Sequence, residues 1–113
     1  MASAAVPADM DRHAVWVTME AIPGREDEAR DFLESVAVRL RAETGTSGYM
    51  AVDLGGGRFG VFSTFRDDRA LRDHAEGVGR WIEARRPGLF AAPYDVTRGQ
   101  PFAVHPHQGS AIP

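Results

Sequence analysis

The sequence predicts an α+β fold of the ferredoxin-like split βαβ kind, with elements in the order βαββαβ on one antiparallel sheet. Three observations predict it. An alternating, β-rich segment, AVWVTMEA (Ala14 to Ala21), leads into a helical stripe. Two more β-rich segments, Tyr49 to Leu54 and Phe59 to Phe65, flank Gly55-Gly56-Gly57, which is hairpin chemistry because glycine accepts positive φ. A second helical stretch and a short strand, Tyr94 to Arg98, complete the order.

In the first strand, Val15, Val17 and Met19 point one way and Trp16, Thr18 and Glu20 the other. Pro23-Gly24 ends it. The first helix opens with Glu26, Asp27 and Glu28 and closes with Arg39 and Arg41, charges that suit the two ends of the helix dipole. Ala29, Phe32, Leu33, Val36, Ala37 and Leu40 recur at three- and four-residue steps and form its apolar stripe. Thr44 to Gly48 supplies a break.

After the third strand, Asp67 or Asp68 is placed to cap a second helix. Gly77 and Gly79 interrupt that helix, a further helical piece carries Trp81 and Ile82, and Pro87-Gly88 punctuates again. The last strand is expected to resume at Phe102 to Val104. Residues 1–13 read as a flexible leader, 14–104 as one domain and 105–113 as an irregular tail.

The third strand is apolar on both sides: Phe59, Val61 and Phe65 on one face, Phe62 on the other. A four-stranded sheet with helices on one side should otherwise present a polar open face. A second copy of the same sheet is the simplest cover, by a two-fold interface.

Composition narrows the function classes. The chain has 113 residues, 43% hydrophobic and 26% charged, with a net charge of -3, as expected of one soluble domain. The charge argues against nucleic acid, which demands a concentrated basic face. Cysteine is absent, which excludes disulfides, thiol catalysis and cysteine metal sites. No apolar run is long enough to span a bilayer, and the start, MASAAVPADMD, lacks the pattern of a signal peptide, so a cytoplasmic location is expected. All 13 basic residues are arginine, a codon-usage signature of a GC-rich genome. The glycine turn lies between strands rather than before a helix, so it is no phosphate loop.

The segments VTMEAIPGREDEARDFLESV (Val17 to Val36), GRFGVFSTFRDDRALRDHAEG (Gly57 to Gly77) and RRPGLFAAPYDV (Arg85 to Val96) together resemble the antibiotic biosynthesis monooxygenase domain family. The resemblance spans roughly Ala14 to Arg98. It implies a dimeric α+β barrel, in which two ferredoxin-like sheets pack together, with a pocket in each subunit between sheet and helices. It also implies a small aromatic substrate, and molecular oxygen as a possible co-substrate. Family members include cofactor-independent oxygenases that convert aromatic polyketide phenols, anthrones or quinols into quinones. Others degrade haem, process small signalling molecules or have no assigned activity.

One residue stands out chemically. Leu71, His74, Ala75 and Val78 fall at i, i+3, i+4 and i+7, which turns His74 inward. Arg69, Arg72, Asp73 and Glu76 take the opposite face and can pair at four-residue spacing. His74 is either satisfied structurally by a carbonyl or carboxylate, or it is a general base.

As a base it has a definite task. A phenol becomes a far better one-electron donor to oxygen once deprotonated, and an unperturbed imidazole, near ~6.5, accepts a proton near neutral pH. No cofactor is then required, because the substrate supplies the electrons. Trp16, Thr18, Tyr49, Phe62, Thr64, Trp81 and Phe90 are candidate cavity walls, with core packing as the competing role. Among them the Trp81 indole N–H is the best placed to donate to a phenolate or peroxide oxygen. Arg58, beside the glycine turn, could meet an anionic substrate.

The alternatives are a polyketide cyclase, isomerase or decarboxylase using the same base without oxygen, and a non-catalytic ligand-binding dimer. Haem degradation ranks lower, since the acidic charge offers no basic face for propionates. His105 and His107 form an HPH motif, but no third and fourth ligands stand near them in sequence, so no metal is expected.

Overall fold

The computed structural model describes residues 11–105. Four strands and three helices follow in the order β1 (His13–Ala21), α1 (Glu26–Leu40), β2 (Thr46–Gly55), β3 (Arg58–Phe65), α2 (Asp68–Glu76), α3 (Val78–Arg85) and β4 (Phe90–Gly99). A 3-10 turn, Arg86–Gly88, joins α3 to β4. The sheet is antiparallel throughout, with strand order β2-β3-β1-β4. This is the α+β ferredoxin-like arrangement that the element order predicts.

Strand alternation determines the two faces. Val15, Val17 and Met19 on β1 pair with Ser63, Val61 and Phe59 on β3, and these residues face the helices. From α1, Ala29, Phe32, Leu33, Val36 and Leu40 are buried against them, while Ala37 is only half-buried. Phe65 and Phe90 are fully enclosed. Filling this core is the main favourable term holding the helices to the sheet.

The β2–β3 turn uses glycine as its chemistry demands: Gly55, Gly56 and Gly57 all have positive φ, between 63° and 87°. Asp67 caps α2, its side chain accepting from the Ala70 N–H at 2.8 Å. Gly77 ends α2, and Val78 begins α3 instead of continuing the same helix. The predicted i+7 member of the His74 stripe therefore packs from a separate helix.

Three boundaries differ from expectation by more than a residue. β2 begins at Thr46, inside the stretch expected as a break, because Thr46 and Gly48 already pair with Phe65 and Thr64 of β3. β4 begins at Phe90, four residues earlier than the sequence suggests, because Ala91 and Phe90 pair with Glu20 and Ala21 across an irregularity in β1. Residues 102–104 form no strand; Phe102 and Val104 are exposed beyond the end of β4. β1 has no further partner to offer them, since β3 and β4 occupy both its edges. The HPH motif lies largely outside the described residues, which end at His105.

The open face carries a continuous row across the sheet: Met50 beside Phe62, Phe62 beside Trp16, and Trp16 beside Thr97. Met50 is 60% exposed and Phe62 39%. Gly60, in the middle of β3, lies under the Trp16 indole, so a Cβ at that position would collide with the ring.

Candidate active site

Between the helices and the inner face of the sheet lies a cavity of about 280 Å³, close to the lower end of ordinary ligand pockets, about 300 Å³. Its walls are mostly aliphatic: Val15, Val17, Val36, Leu40, Val61, Leu71 and Ile82 contribute, with Phe32 and Phe65. Polar groups enter at a few places, from His74, Ser63, Tyr49, Glu83, Arg86 and Arg98.

His74 points inward from α2, as its spacing predicts, with one-fifth of its side chain exposed. Its ring lies 5.0 Å from that of Phe65. Its Nδ1 stands 2.8 Å from Glu43 Oε1. Glu43 lies 31 residues from His74 in the chain, beyond the reach of any local spacing. It sits where α1 unwinds: the N–H groups of Arg41, Ala42 and Glu43 each bond three residues back, tightening the chain before β2.

Glu43 also accepts from Thr46 Oγ1 at 2.7 Å and from the Val78 N–H at 3.2 Å. The latter satisfies a first-turn donor of α3, whose own N-cap, Gly77, has no side chain to do so. Burial pushes the Glu43 carboxyl upward, but the hydrogen bonds from His74, Thr46 and Val78 outweigh it and hold the pKa below the usual glutamate value. An ionised carboxylate only accepts, so Nδ1 carries the proton and donates to it. Nε2 is then the nitrogen with a free lone pair, and it has no hydrogen bond among the described residues.

Gly79 permits this packing. A Cβ there would lie 3.3 Å from His74 Cδ2 and 2.8 Å from the His74 carbonyl oxygen. Any larger residue would press on the imidazole and on the α2–α3 junction.

Of the other predicted wall residues, Tyr49 lines the cavity. Its hydroxyl donates to the Leu33 carbonyl oxygen at 2.9 Å, and burial pushes its pKa up to about 12, so it stays a phenol. Trp16, Thr18, Phe62 and Thr64 occupy the opposite face of the sheet, away from the helices. Phe90 is core, 1% exposed and set edge-on to Phe59.

Trp81 stacks on Phe32 at 5.3 Å outside the cavity lining, with the guanidiniums of Arg39 and Arg85 at 4.0 and 4.6 Å from its ring. Its indole nitrogen is buried without a hydrogen-bond partner. Arg58 opens β3 on the exposed rim. Among the described residues, no cluster of three or more His, Asp or Glu side chains could hold a metal ion, and no helix is long and apolar enough to cross a membrane.

A four-stranded ferredoxin-like sheet with a helix-covered cavity defines the structural class, and solved structures of that class superpose well. A protein from Deinococcus radiodurans, provisionally described as an antibiotic biosynthesis monooxygenase, aligns at TM-score 0.67 and 20% identity over 84% of this chain and 97% of its own. One from Caulobacter crescentus with the same provisional description aligns at 0.73 and 15% identity over 84% and 93%.

A protein of unknown function from Nitrosomonas europaea aligns at TM-score 0.79 and 30% identity, over 88% of this chain and 97% of its own. The chain belongs to the same family as that protein, and it shares the ferredoxin-like fold of the other two. No protein-family model and no curated protein matches it.

Proposed function

We propose that the protein is a cofactor-independent monooxygenase that oxidises an aromatic phenol, anthrone or quinol to a quinone, with His74 as general base. The observation that carries this reading is the Glu43–His74 pair at the cavity wall, at 2.8 Å. The carboxylate fixes the tautomer, leaves the Nε2 lone pair free to take a proton and stabilises the imidazolium that forms on proton uptake.

Nε2 takes the proton of the substrate hydroxyl. The resulting anion passes one electron to oxygen, and the radical pair recombines as a carbon-bound peroxide. The imidazolium returns its proton to the peroxide, and loss of the ring hydrogen with cleavage of the O–O bond then releases water, leaves the carbonyl of the quinone and regenerates the neutral base. One oxygen molecule is consumed and one water formed per turnover. The aliphatic walls give the ring an apolar seat near the base. The coarse identity of the structural neighbours supports the oxygenase class over an oxygen-free use of the same base.

The same reading includes a second copy of the chain. Met50, Phe62 and Trp16 form an apolar row on the face without helices. Pairing two such faces would close a barrel and bury it.

The test is oxygen uptake with an anthrone or dihydroxynaphthalene panel in chelator-treated buffer. Uptake matched by quinone formation is expected, and His74→Gln should slow it about 10²–10⁴-fold while the protein remains folded by circular dichroism. A His74→Gln protein with unchanged turnover would remove the base assignment.

A further inference from the structure

We infer that the substrate carries an anionic group as well as its ring hydroxyl, and that Arg86 and Arg98 bind that group on the β4 side of the cavity, across the sheet from His74. The inference rests on the proposed role of His74 only for where the hydroxyl sits.

Both arginines line the cavity, and neither makes an ion pair among the described residues. Among the described residues only Arg25, Arg30 and Arg69 pair, with Glu28, Asp53 and Asp73, so what singles out Arg86 and Arg98 is their place on the cavity wall, and for Arg86 its buried nitrogen. The Arg86 guanidinium lies 4.3 Å from the Tyr94 ring, and its Nε–H is buried with no hydrogen-bond partner. A buried, unpaired N–H on a cation is costly, and an incoming carboxylate would satisfy it with a charge-assisted bond.

Arg98 belongs to the inward set of the sheet and is exposed, so it stands at the cavity mouth. It pairs with Val15, which pairs with Ser63, and all three line the cavity. Glu83 lines the cavity too and forms no ion pair there. It offsets part of the charge, and two guanidiniums against one carboxylate leave the region cationic.

The two ends are set apart by the sheet. His74 packs on Phe65 of β3, whereas Arg98 is two strands over and two rows along. Strand spacing and rise put about 12 Å between those backbone positions. Side chains reach inward from both ends, so the gap suits one or two fused rings. A cavity of about 280 Å³ sets the same limit. The substrate class is therefore a compact aromatic acid with its hydroxyl and its carboxylate at opposite ends.

Calorimetric titration of the full chain tests this. The probes are the hydroxynaphthoate with hydroxyl and carboxylate at opposite ends of the ring pair, and the corresponding naphthol without the carboxylate. The acid should bind at least roughly tenfold more tightly. Arg98→Met and Arg86→Met should each reduce that preference, with naphthol affinity nearly unchanged, and Glu83→Gln should increase it. Arg86→Lys keeps the charge if loss of the Tyr94 contact unfolds the methionine variant, and it should keep most of the preference.

Equal affinities in the wild type, no binding of either compound, or a preference that survives loss of both arginines would each overturn the inference. Oxygen uptake is read separately. Selective binding of the acid without uptake would keep the anion site and refute the oxygenase.

Discussion

The two faces of one sheet have opposite fates. On β3, Phe65 is 2% exposed while Phe62, three residues away and pointing the other way, is 39% exposed. The helix side holds the core, the cavity, His74 and the two cavity arginines. The open side holds an apolar row with no helix over it. The same residue type thus does different work depending only on strand parity. The core and the cavity lie on one face, and the proposed association falls to the other.

Substitutions on the two faces should separate these roles. The largest expected effect is on the covered face: Phe65→Ala should cost about 3–5 kcal/mol by chemical denaturation, from lost burial and the cavity left behind. It should also disturb the imidazole that rests on that ring. On the open face, Phe62→Glu should leave the monomer folded but shift its mass from dimer to monomer by light scattering. A wild type that is already a monomer at micromolar concentration would remove the second copy from the account.

A smaller effect is expected at Glu43. Glu43→Gln keeps an acceptor for Val78 but loses the charge, and should cost about 1.5–3 kcal/mol at neutral pH. Because folding lowers this carboxyl's pKa, its contribution is fully present above the unfolded glutamate value and lost as pH falls through the folded one. The stability gap between wild type and variant should therefore close on acidification, and a gap constant from neutral pH to pH 3 would contradict that. The smallest effect belongs to the solvent face of α2: Arg69 stands 3.9 Å from Asp73 in full exposure, so Arg69→Ala should change stability by less than about 0.5 kcal/mol.

Local periodicity carried the reading a long way. The α1 stripe, the alternation of β1, the glycine turn and the inward turn of His74 all follow from spacings within a few residues. What the spacings cannot say is which face of a strand receives the helices. Trp16, Thr18, Phe62 and Thr64 share one face legibly, but the helices pack on the other. Phe90 and Trp81 show that an aromatic residue type does not locate itself; Phe90 is core and Trp81 lies between a phenylalanine and two arginines.

Glu43 is the site residue that no periodic pattern marks. Its contact with His74 is tertiary, made only when α1 and α2 are brought together over the sheet. The Glu43-Thr44-Gly45-Thr46 run, a carboxylate three residues before a hydroxyl at a helix-to-strand turn, was the available local signal.

The central claim is that the Glu43–His74 pair serves as a base for oxygenation without a cofactor. The most direct measurement is an oxygen-electrode trace on chelator-treated protein with a turnover-competent phenol, run on wild type and His74→Gln side by side. The account predicts one oxygen consumed per quinone formed by the wild type, and near-background uptake by the variant. Product formed without oxygen uptake, or equal uptake by the two proteins, would contradict it.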